Sequence, residues 1–114
     1  MKRIEIVIPD RKLYALSDVF EQANVGGMTY YGVMGRSQIK PKHDVVGMGT
    51  MRYEQEFNQK YKVEVVVKDE QVDGLIAKIV ERVGDDLATG AKIFVVDVSD
   101  AVDLRSKKRG DAAI

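Results

Sequence analysis

Residues 61–83 read YKVEVVVKDEQVDGLIAKIVERV, and the change of rhythm inside this stretch decides the fold. From Tyr61 to Lys68 the apolar positions repeat every second residue, with Tyr61, Val63, Val65 and Val67 facing one way. That is the signature of a strand with one buried face. Beyond Asp69, a residue suited to capping a helix, the spacing lengthens: Val72, Leu75, Ile76, Ile79, Val80 and Val83 form one helical stripe. Gly84-Asp85-Asp86 ends the helix, and Lys92 to Val98 supplies a second strand.

The first third of the chain repeats this pattern without repeating its residues. Lys2 to Pro9 alternates Ile4, Ile6 and Ile8 against Arg3, Glu5 and Val7. Asp10 offers an N-cap, and Leu13, Leu16, Val19, Phe20 and Ala23 recur at helical spacing. Gly26-Gly27 is expected to stop that helix, since glycine accepts the left-handed cap conformation. Met28 to Met34 reads as a strand. The order strand–helix–strand, long loop, strand–helix–strand predicts an α+β, ferredoxin-like βαββαβ sandwich, both helices covering one face of an antiparallel sheet. The tail, 99–114, is short and polar, with one helical turn expected around Ala101-Val102.

At 114 residues and 12.8 kDa, one domain spanning 1–114 is expected. The other face of its sheet would show Val7, Val66, Phe94, Val96 and Val98, more apolar surface than a two-layer monomer needs. Burying each side chain is worth roughly 1.5–3 kcal/mol, so that face is expected to pack against other copies. The segment from Gly35 to Lys60 shows no clean period. Loops beyond about 12–15 residues are uncommon unless functional; the two readings are a segment that orders on a ligand or partner and a plain β-hairpin extension.

Eighteen basic and eighteen acidic side chains cancel, so no global field draws the chain onto nucleic acid or an anionic membrane. The absence of cysteine excludes disulfides, thiolate catalysis and iron–sulfur clusters. The opening MKRIEIVIPD is no signal peptide and no stretch is long enough to insert in a bilayer, which makes the cytoplasm the expected location.

Several short pieces, taken together, resemble the P-II family of nitrogen-regulatory signal proteins. They are Met1-Lys2-Arg3-Ile4-Glu5, Lys12-Leu13, Gly27-Met28-Thr29, Val33 with Gly35, and Phe57 with Lys60 and Val63-Glu64-Val65-Val66-Val67. Lys92-Ile93-Phe94-Val95 and the ending Arg109-Gly110-Asp111-Ala112-Ala113-Ile114 complete the set. Arg52-Tyr53 and Ala101-Val102-Asp103 look nearer archaeal-type and divergent members. The resemblance implies a homotrimer binding ATP or ADP in clefts between subunits, with magnesium and 2-oxoglutarate beside the ATP. It also implies a T-loop, about 35–60, that engages an ammonium transporter or a nitrogen-metabolism enzyme or regulator, and a C-terminal loop, 99–114.

Carried over residue by residue, the resemblance implies a nucleotide site. Gly35, Arg36, Ser37 and Gln38 would supply amides, a guanidinium and a hydroxyl; Lys92 and Arg105 would supply phosphate-binding cations. Thr89, Gly90 and Ala91 stand before that lysine. Val7, Thr29, Glu64 and Val66 match positions near the adenine. Gln38 and Lys60 correspond to the 2-oxoglutarate site, and Tyr53 to a tyrosine that some members modify. Two departures stand out: the family's Gly-Asp-Gly before the lysine is Thr89-Gly90-Ala91 here, and a second C-terminal arginine is Asp103. An aspartate near phosphates repels them, so weaker triphosphate binding is expected, with ADP or AMP favoured. The resemblance therefore also admits a sensor of another stimulus: bicarbonate, AMP or metal stress.

Enzymatic readings find little support. Met34-Gly35-Arg36-Ser37-Gln38 faintly echoes an acylphosphatase arginine loop but follows the second strand instead of the first. No Ser/His/Asp set or carboxylate pair at defined spacing is visible. His43 is a lone histidine on a loop, a poor metal ligand set by itself. RNA-binding modules on this fold need stacking aromatics on the first and third strands, and these strands offer Ile, Val, Lys and Glu.

Overall fold

The computed structural model describes residues 1–36, 57–85, 87 and 90–114, together with the backbone of 44–46 and 51–53. The alternating isoleucines form β1 (Lys2–Ile8), and the alternating valines form β5 (Asn58–Val67). These two strands pair antiparallel from Lys2↔Val67 to Ile8↔Tyr61, which sets Ile4 beside Val65 and Ile6 beside Val63. Flanking them are β2 (Thr29–Gly35) on β5 and β6 (Ile93–Asp97) on β1, giving the sheet order β2-β5-β1-β6, antiparallel at every junction. This is the expected ferredoxin-like arrangement.

Two helices, α1 (Leu13–Gln22) and α2 (Val72–Val83), close one face. Their inward residues, Leu16, Val19, Phe20, Leu75, Ile79 and Val83, join Ile4, Ile6, Ile8, Val63, Val65 and Val67 in one buried cluster. Removing a side chain of this kind from water contributes about 1.5–3 kcal/mol, so the period-2 and period-3.6 stripes account for the core.

The helix ends depart from expectation in ways local sequence hides. Each helix is entered through a 3-10 turn, Asp10–Lys12 and Asp69–Gln71, and neither aspartate accepts a capping bond. At the second, the side chain of Gln71 accepts the Lys68 N–H at 3.0 Å, while Asp69 lies 2.9 Å from the Met1 amino group. The end of α1 is set by Asn24 and not by Gly26-Gly27. Asn24 takes φ 56°, and the Val25 N–H reaches back to the Phe20 carbonyl at 3.0 Å, a left-handed cap. At the end of α2, glycine is required: a Cβ on Gly84 would stand 2.4 Å from the Val80 carbonyl oxygen.

Between β2 and β5 lies a short antiparallel pair, β3 (Asp44–Val46) and β4 (Met51–Tyr53), in register Asp44↔Tyr53 to Val46↔Met51. The long connection thus carries a ladder where no period was legible; three residues a side are too few to leave one. The tail also differs from expectation. Ala101-Val102 is no helical turn, because Val102 is extended and bridges Arg109; a 3-10 turn occurs later, at Gly110–Ala113.

Candidate functional site

The sheet face away from the helices carries the residues of interest. On it, by register, stand Arg3, Glu5 and Val7 of β1; Lys60, Lys62, Glu64 and Val66 of β5; Thr29, Tyr31, Val33 and Gly35 of β2; and Phe94 and Val96 of β6. Its centre is an ion-pair lattice. Glu5 accepts from Arg3 at 2.8 Å and lies 3.6 Å from Lys62; Lys62 lies 3.6 Å from Glu64, which accepts the Tyr31 hydroxyl at 3.1 Å. Burial opposes the charge on Lys62, yet Glu5, Tyr31 and Glu64 outweigh it and raise its pKa above the ordinary lysine value. At the β6 edge the face is apolar and open: Phe94 is 55% and Val96 36% exposed. The expectation of an apolar second face thus holds at this edge, whereas its middle is charged and self-neutralised.

The residues singled out for a nucleotide fall toward two ends of this sheet. At one end β2 finishes at Gly35, where an added Cβ would lie 4.0 Å from Lys60 Cδ, and Lys60 is buried. The Arg36 guanidinium sits over the Phe57 ring at 5.9 Å, closing the base of the long connection. Gly90 (φ 76°) donates its N–H to Leu87 at 2.9 Å, and Ala91 and the exposed Lys92 lead into β6. Val7 stands one pair along from the Ile6↔Ile93 rung. Toward the other end Thr29 pairs Glu64, and Val66 pairs Arg3. Ser37, Gln38 and Thr89 lie outside the described residues, as does the side chain of Tyr53.

Arg105 belongs to this second end. The chain leaves β6 with the Val98 N–H donating to Met1 at 3.2 Å, crosses below the sheet, and ends with Ile114 against Gly26, 3.8 Å from where a Cβ there would sit. Within this crossing, residues 101–110 form a narrow hairpin. It is held by the Val102↔Arg109 bridge, by the Gly110 N–H to Ala101 bond at 2.9 Å, and by Arg109 pairing Asp100 through both Nε and Nη2. Arg109, which the sequence offers as the first residue of the family-like ending, is therefore a structural cation. The same contact, followed by the Ala101 N–H, lowers the Asp100 carboxyl pKa below the usual range.

Thr29 and Gly35 are six residues apart on one strand, about 20 Å at the usual rise. An apolar cleft beside Lys92, about 130 Å³ and lined by Ile8, Ile79, Val83, Leu87 and Ala91, opens on the helix side of the sheet. It does not join Val7 and Val66, and small-molecule sites usually occupy 300–1,000 Å³. A lone chain thus brings Gly35, Arg36, Lys60 and Lys92 toward one end and Thr29 and Arg105 toward the other. Among the described residues there is no group of three or more His, Cys, Asp or Glu able to hold a metal ion, and no helix long and apolar enough to cross a membrane.

Comparison with known proteins agrees with this architecture. The family model described as Nitrogen regulatory protein P-II matches residues 1–108. Nitrogen regulatory protein P-II of Pasteurella multocida is 34% identical over 114 residues, covering the whole of both chains. The protein of that name from Rhodobacter capsulatus is 31% identical over 119 aligned residues, and Nitrogen regulatory protein P-II 1 of Escherichia coli K12 is 32% identical over 114, again covering both chains in full.

Proposed function

Because the chain belongs to the family of nitrogen regulatory P-II proteins, we propose that it is a signal-transduction protein, not an enzyme, that binds adenine nucleotides between copies of itself. The observation carrying this reading is the division of its binding groups between opposite ends of the sheet. A ligand contacting Lys92 or Gly35 of one copy can meet Thr29 or Arg105 only if a neighbour presents its opposite end. Such a head-to-tail contact is heterologous, and repeated it closes into a ring; three copies is the arrangement proposed. The open edge with Phe94 and Val96 gives that contact apolar area to bury.

In the assembled protein the amides about Gly35 and Gly90 and the cations Arg36, Lys92 and Arg105 would surround the phosphates. Val7, Thr29, Glu64 and Val66 would stand near the base. Magnesium-ATP and ADP are the proposed ligands, with 2-oxoglutarate as an acidic effector near Lys60. Ligand occupancy at the base of the T-loop, 35–60, would change what that loop offers to an ammonium transporter or a nitrogen-metabolism enzyme or regulator. Cytoplasmic location and absence of nucleic-acid binding belong to the same reading.

Calorimetry with ATP, ADP, AMP and 2-oxoglutarate tests it. Heat with ATP or ADP at about one site per chain is expected, and no heat with any adenine nucleotide overturns it. The departures at Thr89-Gly90-Ala91 and Asp103 favour one second reading, a P-II-like sensor of another stimulus. A response to AMP or bicarbonate with none to 2-oxoglutarate would select that reading.

A further inference from the structure

Asp103 occupies a place where the family resemblance calls for a cation, and at first sight an aspartate there repels phosphate. Its bonds point elsewhere. One carboxylate oxygen, Oδ1, accepts the backbone N–H of Arg105 at 2.8 Å and that of Ser106 at 3.2 Å. The backbone of Asp103 closes the hairpin as well: its N–H donates to Lys108 at 2.9 Å, and its carbonyl accepts from Lys107 at 2.8 Å. Ser106 Oγ in turn accepts the Lys108 N–H at 3.3 Å. The tip is therefore built, not frayed. Lys107 is held at φ 64°, a conformation disfavoured outside glycine that persists where surrounding bonds enforce it.

This geometry has an electrostatic consequence. The Ser106 N–H, then that of Arg105, lower the pKa of the Asp103 carboxyl below the ordinary carboxylate value, so its charge is held by the loop's own donors. Arg105, Lys107 and Lys108 are all exposed on the same tip. Three cations against the one carboxylate leave residues 103–108 at +2 in a chain of net charge zero.

We propose that Asp103 is a positioning residue: its carboxylate holds the Arg105-Ser106 turn so that Arg105, with Lys107 and Lys108, presents a cationic tip to the phosphates of an adenine nucleotide held by a neighbouring copy. This rests on the nucleotide reading above and adds to it. Lys107 and Lys108 supply the positive charge that a second arginine would otherwise bring, and Asp103 aids triphosphate binding instead of weakening it.

The two roles of Asp103 predict opposite signs. Removing a repulsive carboxylate tightens ATP binding; removing a positioning carboxylate loosens it. Calorimetry with ATP and AMP on the wild-type protein, Asp103→Ala, Asp103→Asn and Lys107→Ala/Lys108→Ala decides between them. Asparagine keeps the Oδ1 acceptor without the charge, so D103N is expected within about threefold of wild type, whereas D103A loses about tenfold toward ATP, the loss of one hydrogen-bonded support. Loss toward AMP is expected to be smaller in both D103A and the double lysine variant, because fewer phosphates meet the tip. Tighter ATP binding by D103A, or equal losses with ATP and AMP, overturns the proposal. Amide exchange without ligand provides an independent arm: the Arg105 and Ser106 amides should exchange faster in D103A and stay protected in D103N. Unchanged exchange in D103A sinks the positioning role even if nucleotides bind. A wild-type protein that binds no adenine nucleotide removes the functional reading and the phosphate half of this proposal, while exchange still decides what Asp103 does.

Discussion

Mixing two defective chains gives a sharp prediction. Lys92 precedes β6 and Arg105 follows it; from Lys92 to Asp97 is five residues of extended chain, about 17 Å. Charge-assisted bonds to phosphate reach about 2.7–2.9 Å, so one phosphate group cannot draw on both cations of the same copy. Lys92→Ala or Arg105→Ala alone should each cost roughly 1.5–3 kcal/mol, about ten- to 150-fold in affinity. In a closed ring of three, a mixed ring containing both variants has one junction where an intact Lys92 faces an intact Arg105. Random refolding of an equimolar mixture should therefore return about one site in four to wild-type affinity. Calorimetry reads this as a tight fraction near a quarter of the wild-type stoichiometry, absent from either variant alone. No tight fraction after verified mixing would mean that both cations serve one chain's own site, and the division of the site between copies would be wrong.

Other expectations follow from single features of the fold. Asn24→Val should destabilise the protein by about 1–2 kcal/mol in chemical denaturation, because a β-branched residue is placed at φ 56°; Asn24→Gly should be close to neutral. Phe94→Glu should disperse the assembly in size-exclusion chromatography while leaving the far-ultraviolet circular dichroism unchanged, since Phe94 is 55% exposed on the isolated chain. Asp100 and Asp103 both titrate below the ordinary carboxylate value in the folded chain. Groups lowered on folding contribute stability that is fully present above the unfolded pKa, near 3.9, and lost as pH falls through the folded one. Amide protection in 101–110 should therefore hold from pH 7 to about 5 and fall below about pH 4, while the Val63–Val67 ladder keeps its protection longer.

Much of the fold was legible because the core is written in two simple periods. Ile4, Ile6 and Ile8 and Val63, Val65 and Val67 alternate, all six are buried, and the helical stripes supply the covering layer. What stayed hidden depends on partners distant in sequence. Asp69 looks like a helix cap until the Met1 amino group arrives beside it, and Val102 looks helical until Arg109 pairs with it. Two adjacent glycines drew the end of α1 away from Asn24, which can adopt the left-handed conformation itself. The candidate site was legible as a set of residues through family resemblance alone, since no local motif marks it. Its division between sheet ends emerged only with the register Thr29↔Glu64 and Gly35↔Asn58. The role of Asp103 was hidden for a similar reason: its partners are backbone amides, which a sequence does not display.

Sedimentation equilibrium of the purified protein without ligand tests the account most directly, because a composite site needs a neighbour before it needs a nucleotide. With chains of 12.8 kDa, a ring of three is expected to sediment as a single species of about 38 kDa at micromolar concentration. A species of 12.8 kDa under the same conditions would leave Lys92 and Arg105 without each other and contradict the account.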